Sequence, residues 1–284
     1  MSASPTLSGL YIYPVKSLAG IALRCATLTG EGLAFDRRWV ITDPSGNFMT
    51  QRDCPTMATL TTALDGDHLI VVSPDRRHLF VPLAPPDTPA DRVRIFRHEC
   101  RGQDEGEEAA WWLSAALGRS VRLKRVPRDN RRRVSPERLG EVVAHTGFAD
   151  GYPLLVTATA SLAALNRSLV ERGRAPVPMA RFRPNLVIDH TPAFAEHEAT
   201  ALCGEGFTLW LCKPCERCRV ITVDQESGEI PRPGEPLATL AELEPGAAPG
   251  AFFGENAVVL EGEGARLVCG VAVSLTTAHR APAL

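Results

Sequence analysis

From residue 7 to about residue 127 the chain is written in short segments that alternate apolar and polar residues and break at turn formers. Alternation of this kind puts successive side chains on opposite faces of a pleated strand, so the stretch is expected to fold as a β-barrel or sandwich. The clearest hairpin joins residues 38–42 to 48–52 through Asp43, Pro44, Ser45, Gly46 and Asn47, where Pro44 presets φ and Gly46 accepts a positive φ. A helix is expected over residues 107–117, with Glu107 and Glu108 at its start and Gly118 as its stop. Its Trp111 and Trp112 are expected to pack in the core or between domains. A second helix is expected over residues 161–170, with Ser161 as N-cap, Leu162, Leu165 and Leu169 on one face, and Gly173 at its end. Strands are expected again over residues 185–188, 208–211, 220–223, 257–260 and 266–273.

The pattern describes a mainly β (α+β) protein, an N-terminal β-barrel-like domain over residues 5–127 followed by a second β-rich domain with a few helices over residues 128–284. A length of 284 residues accommodates two domains of ordinary size. The boundary falls near residues 124–133, where Lys124, Arg125, Arg131, Arg132 and Arg133 stand without a repeating apolar face. This run reads as a solvated linker, or as a docking patch for an acidic redox partner. A net charge of -2 gives no bulk affinity for nucleic acid, and no apolar run is long enough to span a bilayer. The first residues lack a basic segment followed by an apolar one, so a cytoplasmic location is expected, with the eight cysteines as thiols or metal ligands.

Three of those cysteines, Cys212, Cys215 and Cys218, fall within seven residues. Spacing this close suits zinc, an iron–sulfur cluster or redox chemistry. A zinc site would need a fourth ligand from Cys203, His197 or His190, and a cluster would draw on Cys203 or Cys269 without the usual Cys-Pro. A third possibility is a single thiolate on a soft metal whose other ligands belong to a cofactor. Cys218 suits that role because it opens onto the predicted strand 220–223 and so would sit on a rigid element.

With these residues in view, the sequence resembles the MOSC proteins that carry an N-terminal β-barrel domain, the group that includes the mitochondrial amidoxime reducing component and its bacterial relatives. The marks are Tyr13-Pro14-Val15-Lys16-Ser17, Asp36-Arg37-Arg38-Trp39, Phe148 through Pro153, Arg181 through Asn185, Pro214 through Cys218 with Thr222-Val223-Asp224, and Phe253-Gly254-Glu255-Asn256. The resemblance implies a molybdenum cofactor (Mo-molybdopterin) in a cleft between the domains, with Cys218 as the metal ligand and catalytic centre. It assigns Lys16, Ser17 and Arg37 to the cofactor phosphate, a task that suits an ammonium, a hydroxyl and a guanidinium. Arg183 and Asn185 match positions expected to hold the pterin, although Pro184 would push Arg183 into an extended conformation and a strand-entry turn would explain both. Asp224 is a candidate for orienting a proton donor, and equally a turn former. At the level of the superfamily alone, pyridoxal phosphate binding is also associated with these proteins.

The implied activity is reduction of small N-hydroxylated compounds such as amidoximes, hydroxylamines and N-hydroxylated bases. Electrons would come from a separate protein of the flavin reductase, ferredoxin or cytochrome type. Two other readings stand beside it: a cofactor carrier or sulfur-transfer module using a Cys218 persulfide, and a non-enzymatic zinc or iron–sulfur protein. Cys212 is extra to the family's Cys-x-x-Cys core, and Glu216 stands where a small polar residue is common.

Overall fold

The computed structural model describes residues 4–243 and 250–277; the end of the expected second domain, residues 278–284, lies outside them. The fold is mainly β, as the alternation predicts. Its largest sheet has eight strands in the order Val273–Thr276, Ala201–Gly204, Phe207–Glu216, Phe252–Glu261, Leu154–Ala158, Leu186–Asp189, Thr6–Ile12 and Ile21–Leu23. One pair in it is parallel, Leu154–Ala158 with Leu186–Asp189, and helix α2 (Thr159–Glu171) makes the crossover that a parallel pair requires. The first strand bulges between Leu7 and Gly9. That extra residue resets the pleat so that Leu7, Leu10 and Ile12 all face the core, which strict alternation forbids.

A four-stranded sheet, in the order Trp39–Thr42, Arg122–Arg125, His98–Asp104 and Ala90–Ile95, and a three-stranded meander (Thr61–Asp65, His68–Val72, His78–Pro82) surround a second core. Leu69, Val71, Leu79 and Val81 point into it at strict period two and meet Trp112, Leu113 and Leu117 of helix α1 (Glu107–Leu117). The helix stops at Gly118, which takes φ 65°. Among the described residues no helix is long and apolar enough to cross a membrane.

Several expectations need correction. Lys124 and Arg125 belong to a buried strand: the Lys124 ammonium lies 2.8 Å from both Asp91 and Asp104, and Arg125 donates to Glu105 at 2.5 Å. The solvated-linker reading therefore fails there, because each cation has a carboxylate of its own. Trp111 is 70% exposed, so only Trp112 packs in the core. Ser161 is not an N-cap; it lies inside α2, and its hydroxyl donates to buried Glu196 and accepts the Phe194 N–H. The segment Arg219–Thr222 is a 3₁₀ turn rather than a strand. Residues 266–273 divide at Gly270, φ 91°, into separate strands. The expected hairpin after Trp39–Thr42 shrinks to a bridge between Thr42 and Phe48, with Asp43 accepting the Ser45 and Asn47 N–H groups inside the turn.

Candidate functional site

A cleft with about 880 Å³ of empty space, counting its open mouth, gathers residues from all along the chain. Lys16, Ser17, Arg37, Arg183, Asn185 and Cys218 all line it. Asp224 does not. Its carboxylate accepts the N–H groups of Glu226 and Ser227 and pairs with Arg181 at 3.0 Å, so it is a turn former bracing the segment beneath Cys218. The Ser227 N–H, with burial opposing, holds that carboxyl below its ordinary range.

Three of these side chains stand on backbone that most residues avoid. Ser17 (φ 70°), Arg37 (φ 46°) and Arg183 (φ 55°) are all left-handed. Non-glycine residues in that region are uncommon and cluster where surrounding structure over-determines them. Here the determinants are visible. The Arg37 N–H donates to Tyr13 and its carbonyl accepts the Phe148 N–H, both at 2.9 Å. The carbonyl of Ser17 accepts from Gln51 at 2.8 Å. Arg183 closes the 3₁₀ turn Met179–Phe182, so the extended conformation expected from Pro184 is overridden by that turn.

Two guanidiniums lie against one ring: Arg37 and Arg183 are 4.3 Å and 4.2 Å from the Tyr13 centroid. Burial pushes the Tyr13 hydroxyl up to about 12 and brings Arg183 down to about 10, so Arg183 stays cationic beside a neutral phenol at neutral pH. Arg37 is further fixed by Asp36 at 2.5 Å and by the Asn185 carboxamide oxygen at 3.0 Å. That same oxygen accepts the Leu155 N–H, and the Asn185 amide donates to the Tyr11 carbonyl. Asn185, only 1% exposed, thus orients Arg37 from behind.

Lys16 is buried and pairs with Asp150 at the cleft edge. Burial pushes its ammonium below the ordinary value, with Asp150 acting in the opposite direction. The loop carrying Asp150 is held by Arg132, whose guanidinium donates to the carbonyls of Gly147 (2.7 Å), Ala149 (2.6 Å) and Asp150 (2.9 Å). Sequence reasoning missed Arg132, Asp150, Arg52 and Arg217 as site residues. Asp150 and Arg217 lie within the quoted motifs, whereas Arg132 sits in the charged run and Arg52 in the expected hairpin, and neither pattern points to a cleft.

The three cysteines separate. Cys215 and Cys218 line the cleft, with Arg217 donating to the Cys215 sulfur at 2.8 Å. Cys212 faces the other way, packed near Val134, Tyr152 and Val258, and burial drives its thiol up to about 12. No group of three or more His, Cys, Asp or Glu able to hold a metal ion is assembled among the described residues. A zinc or iron–sulfur site built on all three thiols does not fit this geometry.

The lining offers Lys16, Arg37, Arg52, Arg183 and Arg217 against the carboxylates of Asp150 and Glu216, together with two thiols. Such a donor set fits an anionic cofactor that presents a soft metal to one sulfur.

Residues 4–120 match the family described as the MOSC N-terminal beta barrel domain, and residues 144–273 match the MOSC domain. The chain is 33% identical over 246 residues to mitochondrial amidoxime-reducing component 1 of Mus musculus, covering 83% of this chain and 70% of that protein. Its Homo sapiens counterpart is 32% identical over 244 residues, covering 83% and 71%. Molybdenum cofactor sulfurase of Drosophila erecta is 32% identical over 253 residues, 85% of this chain but 30% of that protein.

Proposed function

The chain belongs to the MOSC family, with both its N-terminal β-barrel and its MOSC domain, and from that premise we propose that it is a molybdenum-cofactor-dependent reductase of N-hydroxylated compounds. The observation that carries the reading is the single cleft in which a cation cluster and the Cys218 sulfur converge. In this reading the two domains, divided along the chain at residues 127 and 128, act from opposite sides of that cleft, with strands Thr6–Ile12 and Cys25–Thr29 crossing over to pair with strands of the second.

Lys16, Ser17 and Arg37 hold the cofactor's phosphate. A planar fork and a buried ammonium are strong donors to phosphate oxygens. Asp150 and Asn185 keep Lys16 and Arg37 aimed, so little side-chain freedom is lost on binding. Arg183, stacked on Tyr13, meets the pterin edge, and Cys218 supplies the sulfur ligand. The bound cofactor supplies the oxygen-transfer chemistry. Loss of oxygen from an N-hydroxylated compound consumes two electrons and two protons and yields water. A separate protein of the flavin reductase, ferredoxin or cytochrome type supplies the electrons, and we assign the chain to the cytoplasm.

The test is metal analysis and pterin fluorescence on protein made in a host that produces the cofactor, with amidoxime reduction as the activity. About one molybdenum per chain is expected, lost together with activity in Cys218→Ala. Zinc or iron without pterin would overturn the reading.

Similarity to molybdenum cofactor sulfurase favours a second reading, a sulfur-transfer module with a persulfide on Cys218. It predicts an added sulfur on Cys218 by intact-protein mass and no amidoxime turnover.

A further inference from the structure

The strands Ala90–Ile95 and His98–Asp104 are joined by a two-residue turn, Phe96 and Arg97. Tight hairpins of this length put positive φ at their first loop residue, a place filled by Gly, Asn or Asp because a bulky side chain is strained there. Phe96 occupies it at φ 53° and remains 42% exposed. The strain is not repaid by burial in a core. Instead its ring lies edge-on to Phe48 at 4.8 Å, with the Arg52 guanidinium 4.8 Å from its centroid.

Arg52 lines the cleft. Its guanidinium also approaches Phe48, at 5.9 Å, and Nε donates to the Thr50 hydroxyl at 3.3 Å. Among the described residues no carboxylate lies within ion-pair distance of it, whereas Lys16, 5.5 Å from the same Phe48 ring, is taken up by Asp150. Just outside the residues that line the cleft, against Lys16 and Arg52, stand two aromatic rings, and Arg52 has no carboxylate in direct contact, its charge acting on Asp150 only through space.

We infer that Phe96, Phe48 and Arg52 form a rim subsite that takes the planar aromatic part of an N-hydroxylated substrate bearing an anionic substituent. The ring of such a substrate stacks against Phe96 and Phe48, and its anion meets Arg52. Aliphatic N-hydroxylated compounds reach the cleft without this contact. The inference rests on the reductase reading and adds the substrate class to it.

Its test is steady-state kinetics of the cofactor-loaded protein with 4-carboxybenzamidoxime, benzamidoxime and acetamidoxime. In Phe96→Gly, where glycine is at ease with the backbone, the KM of each aryl compound relative to acetamidoxime rises roughly threefold to tenfold. Molybdenum content stays at the wild-type level. Arg52→Met, which keeps an apolar stem, narrows the KM difference between 4-carboxybenzamidoxime and benzamidoxime. A purely structural role for Phe96 would shift all three substrates alike and lower the melting temperature, and that outcome overturns the subsite. Fluorescence titration of the same compounds reads binding without turnover. Aryl-selective binding without reduction counts against the reductase reading alone; no aryl selectivity in either measurement overturns the subsite.

Discussion

Ser17, Arg37 and Arg183 are the residues at which backbone strain and cleft coincide. A left-handed non-glycine residue costs on the order of 1 kcal/mol or more, so side chains kept there are kept for what they do. Ser17→Gly is accordingly expected to melt no lower than the wild type while losing molybdenum more readily on dialysis; a lower melting temperature with metal retained would contradict the assignment. The same separation applies to the cysteines. Cys212→Val should leave molybdenum content unchanged, because its sulfur lies behind the sheet. It should also change the response to alkali. A thiol whose ordinary value of 9.0 is raised to about 12 by burial contributes stability that is present below pH 9 and lost as the pH climbs through about 12. Urea melts between pH 9 and 12 should therefore show a shallower decline in Cys212→Val than in the wild type.

The elements carrying the site are short connectors pinned by close packing. Gly254 sits at φ 75° within strand Phe252–Glu261, where an added Cβ would lie 2.6 Å from the Thr157 methyl and 2.7 Å from the Val156 carbonyl. Gly254→Ala is expected to destabilise the protein by roughly 1–3 kcal/mol through combined strain and clash, read as a fall in melting temperature. Gly147 is similar, since a Cβ would come within 2.9 Å of the Arg37 carbonyl, so the loop bearing Asp150 can approach Arg37 only through a glycine. Alternation in the sequence located the longer strands and both main helices, because period two and period 3.6 are set locally. It misassigned residues 219–222, whose apolar Val220 and Ile221 read as strand. Tertiary contacts decide that element: Arg181 donates to the carbonyls of Ile221 and Thr222, curling the segment into a 3₁₀ turn that holds Cys218 at its start.

At the scale of the whole molecule the two ends of the chain are interleaved. Strand Thr6–Ile12 pairs with Leu186–Asp189, and Cys25–Thr29 pairs with Arg266–Val268, so Leu7, Leu10 and Leu28 share a core with Leu154, Leu186 and Leu267. A fragment of residues 128–284 would leave the edge of Leu186–Asp189 bare and that core open. It is expected to aggregate, whereas the full chain should unfold in a single calorimetric transition; a monomeric, folded fragment by gel filtration and circular dichroism would refute this. By itself the sequence determined the β-rich class, the helices and the short motifs containing Lys16, Arg37, Arg183, Asn185 and Cys218, because strand period, turn chemistry and motif spacing are properties of neighbouring residues. Only the tertiary structure decided that Cys212 and Asp224 stand outside the cleft while Asp150 and Arg52 line it, Arg132 braces the Asp150 loop and Phe96 stands beside Arg52. Which face a cysteine presents, and which carboxylate a lysine meets 134 residues away, depend on long-range strand pairing and burial that no local pattern encodes.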